Sequence, residues 1–321
     1  MTGSLARLVD RAWPATPAER LAAVRLLVGL FTQVYFTLRL PHMLTYIDFP
    51  ARQFEPIGPL WLLERPPSAS VVVVLALATW LAGLAFLAGW RFRVTGPVHA
   101  LLLTASLTYC NSWGQIFHTE NLAVLYVGLL ATVRAADAYS LDARRRGQVP
   151  PPDGRYGWPL LLMRVVAVAT YFIAGVAKLR WGGPEWFGGD ALLHTIAADS
   201  MRKVVLGSQH SPVAELLLGQ VWLFRGLALL TLVVELGAPL ALLGRRVALV
   251  WAIAVVAFHL GVFVLMAILF PFPLSGVAFA PFFAAERVVE WTRARLRRFR
   301  RRERADDQIE PRRATGRRVG D

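Results

Sequence analysis

Lys178 is one of only two lysines, with Lys203, in a chain that carries 35 basic residues. It stands near the end of an otherwise apolar stretch, Tyr171-Phe172-Ile173-Ala174-Gly175-Val176-Ala177-Lys178-Leu179. The residue type matters: an arginine stays charged, whereas a lysine drawn partly out of water can release its proton and act as a base. His118, Glu120, Asn121 and His259 are the candidate companions. Together such groups can supply a proton acceptor, side chains that orient it, and donors for an oxyanion. Plainer readings stand beside this one. Lys178 can be an anchor at headgroup level, His118 a wetted loop residue, and His259 a helix–helix hydrogen-bonding group. Tyr171, Trp181 and Trp186 fit interfacial aromatics.

Other chemistries lack their residues. The six histidines, at 42, 99, 118, 194, 210 and 259, form no His-x-x-x-His or Glu-x-x-His pair, so no metal site is expected. No phosphate-binding glycine loop or Gly-x-Ser-x-Gly elbow is present. Cys110 is the only cysteine, which excludes an intrachain disulfide and a Cys-x-x-Cys redox pair.

The elements that must position these residues are membrane helices. The 321-residue chain is 56% hydrophobic, and several apolar runs approach the ~20 residues that cross a hydrocarbon core. Spans are expected near 21–38, 71–88, 94–109, 120–133, 158–179, 221–243, 247–270 and 274–285. The expected fold is an all-α polytopic membrane bundle of about eight transmembrane helices. A basic lead (1–20) precedes this domain (21–285), and a basic, disordered tail (286–321) follows. No cleavable signal peptide is expected. Loop 180–219 is expected to hold one short amphipathic helix near Trp186–Leu193.

The net charge of +14 is unevenly placed. Arg91, Arg93, Arg134, Arg144, Arg145, Arg146, Arg245, Arg246 and the arginine-rich tail fall on one side of the expected spans. The other side holds Arg39, Arg52, Arg65, Arg180, Arg202, Lys203 and Arg225, offset by acids. The positive-inside rule then puts both termini in the cytoplasm of a plasma-membrane, multi-pass protein, with a bacterial cytoplasmic membrane the expected setting. The tail is expected to attract anionic lipid headgroups, or to be solvated without a partner; nucleic acid is not an expected partner. Arg25, Arg164 and Glu235 are expected in the inner part of the bilayer as an ion-paired structural cluster, with snorkelling of the arginines as the alternative.

The stretch Tyr171-Phe-Ile-Ala-Gly-Val-x-Lys178-Leu resembles the segment of vitamin K-dependent gamma-glutamyl carboxylases that carries their proposed catalytic lysine. Further motifs follow in order: Arg25-Leu26-Leu27-Val28-Gly29; Ser112-Trp113 with His118 and Asn121; Ala138-Tyr139-Ser140-Leu141-Asp142; Arg164; and Phe258-His259. The similarity covers roughly residues 19–285, the HTTM (horizontally transferred transmembrane) domain, and thus the membrane half of such an enzyme. It implies Lys178 as base, His118 and His259 as supports, and a reduced, vitamin K-like quinone as cofactor at the outer leaflet. Glu120, Asn121 and Tyr171 are the candidates for holding a quinone or lipid substrate. The competing expectations are a binder or transporter of a lipophilic small molecule and a structural membrane subunit. Oligomeric state is not legible.

Overall fold

The computed structural model describes residues 13–114, 116–295 and 298. Residues 1–12 of the lead, Gln115 and most of the basic tail lie outside the described residues. The described chain is all-helical; an isolated antiparallel bridge joins Thr16 to Asp153. In order, the helices are α1 (Ala18–Thr45), α2 (Ala69–Ala88), α3 (Phe92–Cys110), α4 (Asn121–Thr132), α5 (Leu141–Arg146) and α6 (Gly154–Gly188). There follow α7 (Asp190–Val205), α8 (Pro212–Leu217), α9 (Val221–Leu236), α10 (Arg245–Met266) and α11 (Pro271–Leu274).

Among the described residues, four helices are long and apolar enough to cross a membrane: α1 counted through the turn to Asp48, α2, α6 and α10. Local chemistry sets their ends. Gly89 takes a left-handed conformation (φ 62°) that terminates α2, and the Asp153 carboxylate accepts the Arg155 amide to start α6. The expected eighth span does not form. Between 274 and 285 the chain makes a 3-10 segment, Val277–Phe282, whose residues from Ala278 to Phe282 are buried. Pro271, Pro273 and Pro281 remove the donors a long helix would need, and six 3-10 residues cover only ~12 Å.

Three further expectations are corrected. The sixth span, expected to run as one helix to Leu243, stops at Leu236 and continues as a 3-10 segment, Ala238–Leu243. Pro239 cannot donate to an α-helical ladder and disfavours helix in the residue before it. The 180–219 loop is mostly helix: the end of α6, then α7 and α8, whose Ile196 and Ala214 pack with Phe224 of α9 as a second small core. In the tail, residues 286–295 are helical.

The main core surrounds the first half of α1, where Leu21, Ala22, Ala23, Val24 and Val28 are all fully buried. This helix packs against α2, α4 and α6. Pair α6/α9 carries the candidate site, Lys178 and Glu235. Its helices run antiparallel and meet at Gly175, and Gly189, just past the end of α6, also lies against α9. A Cβ on Gly175 would lie 3.0 Å from the Glu235 Cβ, and one on Gly189 would lie 2.5 Å from the Arg225 amide nitrogen. Small residues let membrane helices approach closely, where dispersion takes the place of a hydrophobic driving force.

Candidate functional site

Residues Tyr171, Gly175 and Lys178 recur at i, i+4 and i+7, so they share one face of α6. That face meets the end of α9. The Lys178 ammonium donates to both oxygens of Glu235, at 2.5 and 2.7 Å. The Glu235 side chain is only 3% exposed, and that of Lys178 is 22% exposed. The pair is therefore open at the lysine end alone.

A kink in α6 completes the enclosure. Gly183 takes φ 48° and ψ −135° ahead of Pro184, a conformation glycine tolerates and a proline-following helix cannot absorb. The chain turns there and brings the Trp186 ring to 5.5 Å from Lys178 Nζ, a cation–π contact. Gly182 makes room for it: a Cβ there would sit 1.8 Å from Trp186 Cδ1.

One turn along α6 from Gly175, buried Tyr171 packs edge-on against Trp251 (5.4 Å) and His259 (5.7 Å). The His259 Nδ1 hydrogen-bonds the Val255 carbonyl at 2.9 Å. A carbonyl accepts only, so in the neutral ring Nδ1 carries the proton and Nε2 is the accepting nitrogen. Phe270 stands between the two histidines, 4.9 Å from His259 and 5.3 Å from the exposed His118.

Glu120 belongs elsewhere. It is buried, accepts a hydrogen bond from the Tyr35 hydroxyl, and has Arg39 at 3.9 Å, both on α1. Asn121 begins α4 and is exposed. The structure thus joins Lys178 to Glu235, and one turn away it packs Tyr171 on His259, His259 on Phe270 and Phe270 on His118 in a row that leads away from the pair. It leaves Glu120 and Asn121 in a separate place.

The expected inner ion cluster is replaced by three separate arrangements. Glu235 pairs with Lys178. Arg164 donates to the Pro281 carbonyl at 2.7 Å. Arg25, fully buried, gives its whole guanidinium to backbone carbonyls: Phe86 and Leu87 at 2.7 Å each, Tyr139 at 2.7 Å and Ala135 at 3.1 Å. Phe86 and Leu87 lie in the last turn of α2, where the Phe86 carbonyl also accepts the Gly89 amide at 3.1 Å, so the cation adds to the cap at that end and complements its dipole. Arg25 neither snorkels nor pairs with Glu235.

Between α7, α9 and α10 lies a largely apolar cavity of about 270 Å³. Its wall includes Thr231, Val234, Phe258 and Gly261, so it borders the sequence neighbours of both Glu235 and His259. Sequence reasoning missed Trp186 and the Lys178–Glu235 partnership. The available signal was the glycine three residues before the lysine, which marks a close helix crossing.

A helical domain with membrane-length apolar helices, one of which, α6, pairs a lysine with a buried carboxylate of α9, defines the class of protein. The chain belongs to the HTTM domain family, whose model matches residues 14–288. No curated protein and no solved structure matches it.

Proposed function

We propose that this HTTM protein is a multi-pass plasma-membrane enzyme that uses Lys178 and Glu235 to move a proton on a lipophilic substrate, a quinone or lipid. The observation that carries the reading is the ion pair itself, a lysine held by both oxygens of a buried carboxylate and open on one side. Charged groups in membrane helices are costly and are placed where function requires them. In the proposed step Lys178 passes its proton to a Glu235 oxygen, and the freed amine takes a proton from the substrate. Glu235 orients the amine and stores the charge. Trp186 covers the pair and Tyr171 closes its inner side.

The cavity beside Val234 and Phe258 suits an apolar ring or chain; its volume is near the lower end of the ~300–1,000 Å³ common for small-molecule sites. A reduced quinone bound there would supply an acidic hydroxyl, and Thr231 is a polar contact available on the wall. Orientation is supported by the clustering of Arg91, Arg93, Arg134, Arg146 and Arg155 at the helix ends joined by the Thr16–Asp153 bridge and the Arg146–Asp137 pair. That is the cytoplasmic end by the positive-inside rule.

The test is to purify wild type, Lys178→Ala and Glu235→Gln and identify co-extracted quinones and lipids by mass spectrometry. Wild type is expected to retain an apolar ligand that both variants lose. Equal retention by all three overturns a site built on this pair.

A further inference from the structure

At the arginine-rich end, α3, the turn after α4 and α5 enclose a cleft of about 780 Å³. Arg91, Arg93, Arg134 and Arg146 line it, facing apolar wall residues that include Pro97 and Val133. Two acids also line it, and both are already committed. The Asp142 carboxylate accepts the Arg91 and Phe92 amides at 2.9 and 2.8 Å. Asp137 accepts from Arg146 at 3.1 Å and from the Tyr156 hydroxyl at 2.8 Å. Among the described residues, Arg91 and Arg93 have no carboxylate within 4 Å of their guanidinium groups.

The backbone builds this arrangement. Arg91 takes a left-handed conformation (φ 45°), strained for a long side chain, and the Asp142 carboxylate pins the amides on either side of the bend. That places two arginines at the start of α3. From there Val94, Val98 and Leu101, spaced four and three apart and all exposed, run as one apolar stripe along α3.

We infer that this cleft binds an anionic glycerophospholipid of the inner leaflet, its phosphate on Arg91 and Arg93 and an acyl chain along Val94, Val98 and Leu101. Arginine matches phosphate oxygens in pairs, and four cations against two engaged acids leave the cleft electropositive. A soluble phosphate would use the arginines but not the stripe. This inference rests on the membrane reading but not on the chemistry of Lys178. That residue stands 24 positions into α6 from its Gly154 start, ~36 Å along the helix from this end.

The experiment uses full-length protein in nanodiscs of phosphatidylcholine with or without phosphatidylglycerol, read by native mass spectrometry of the released complex. Wild type is expected to retain phosphatidylglycerol, and Arg91→Ala/Arg93→Ala to lose it by about 25-fold in affinity, some fivefold for each arginine near the surface. Arg52→Ala/Arg65→Ala, outside the cleft, is expected to match wild type. Arg93→Ala alone keeps the test available if the double variant fails to fold, with about a fivefold loss expected. Equal retention by wild type and the folded cleft variants overturns the inference. So does displacement of the lipid by millimolar glycerol 3-phosphate, which marks a soluble-phosphate site. Loss of the apolar ligand in Lys178→Ala with phosphatidylglycerol still bound separates the two sites.

Discussion

Lys178 and Glu235, 57 residues apart in sequence, are joined by two hydrogen bonds of 2.5 and 2.7 Å across the α6/α9 crossing. The carboxylate is the more buried partner, so removing either residue has unequal consequences. Lys178→Met leaves a buried carboxylate without its counter-ion and is expected to cost about 3 kcal/mol or more. Glu235→Gln leaves a lysine that can reach outward and is expected to cost less. Lys178→Met/Glu235→Leu removes both charges and is expected to recover most of the loss. Thermal unfolding of the three variants in one detergent checks the order; a greater loss for Glu235→Gln than for Lys178→Met contradicts the burial argument.

The crossing itself depends on Gly175. A methyl there meets the Glu235 Cβ and Leu236 Cδ2 at 3.0 Å, so the helices must part by a few tenths of an ångström. Gly175→Ala is expected to weaken the fold modestly, and Gly175→Val by about 1–3 kcal/mol through overpacking. Both are expected to reduce retention of the apolar ligand more than Gly128→Ala, where a Cβ meets nothing within 4 Å. Parallel ligand analysis and melting curves for the three variants measure this.

How much of this was legible before the structure follows from the physics of each feature. The end of α2 was legible: the expected span stopped at residue 88, where Gly89 terminates the helix. The depth of Glu235 was not, because counting back from Leu243 assumed one straight helix and Pro239 breaks it. The last expected span failed because burial, not length, makes residues 274–285 apolar: Ala278 to Phe282 fill the core. Lys178 stood out by its rarity, but its partner did not, since pairing across 57 residues leaves no local pattern. Arg25 was read as a charge in search of a charge. Carbonyls at a helix end satisfy an arginine equally well, and they carry no sequence signature.

That reading of Arg25 makes a sharp expectation. Five N–H donors in a planar fork serve four carbonyls on two separate segments, 86–87 and 135–139. Lysine has one nitrogen and cannot span them. Arg25→Lys is expected to be nearly as damaging as Arg25→Ala, each costing about 3–5 kcal/mol because buried carbonyls lose their donor. Expression level and unfolding temperature report it. A stable Arg25→Lys protein with wild-type melting contradicts the carbonyl-clamp account.

Glu286 lies just beyond the buried 3-10 segment and binds Arg20 through both carboxylate oxygens, with a closest distance of 2.7 Å. Burial pushes its carboxyl up, but the Arg20 hydrogen bonds outweigh that and hold it below the usual glutamate value of 4.5. A carboxylate with a depressed folded-state value binds fewer protons folded than unfolded. Its stabilisation is therefore complete above about pH 4.5 and lost as pH falls through the lower, folded value. Glu286→Gln removes that contribution at every pH. The variant is expected to be less stable than wild type at neutral pH, by about 1 kcal/mol for a partly exposed pair. The two are expected to converge as the pH is lowered from 5 toward 3, roughly the window in which a glutamate of this kind titrates. Unfolding temperatures taken across that range settle it: a constant gap between the two proteins down to the lowest pH removes Glu286 as the titrating group that ties the end of the helical domain to α1.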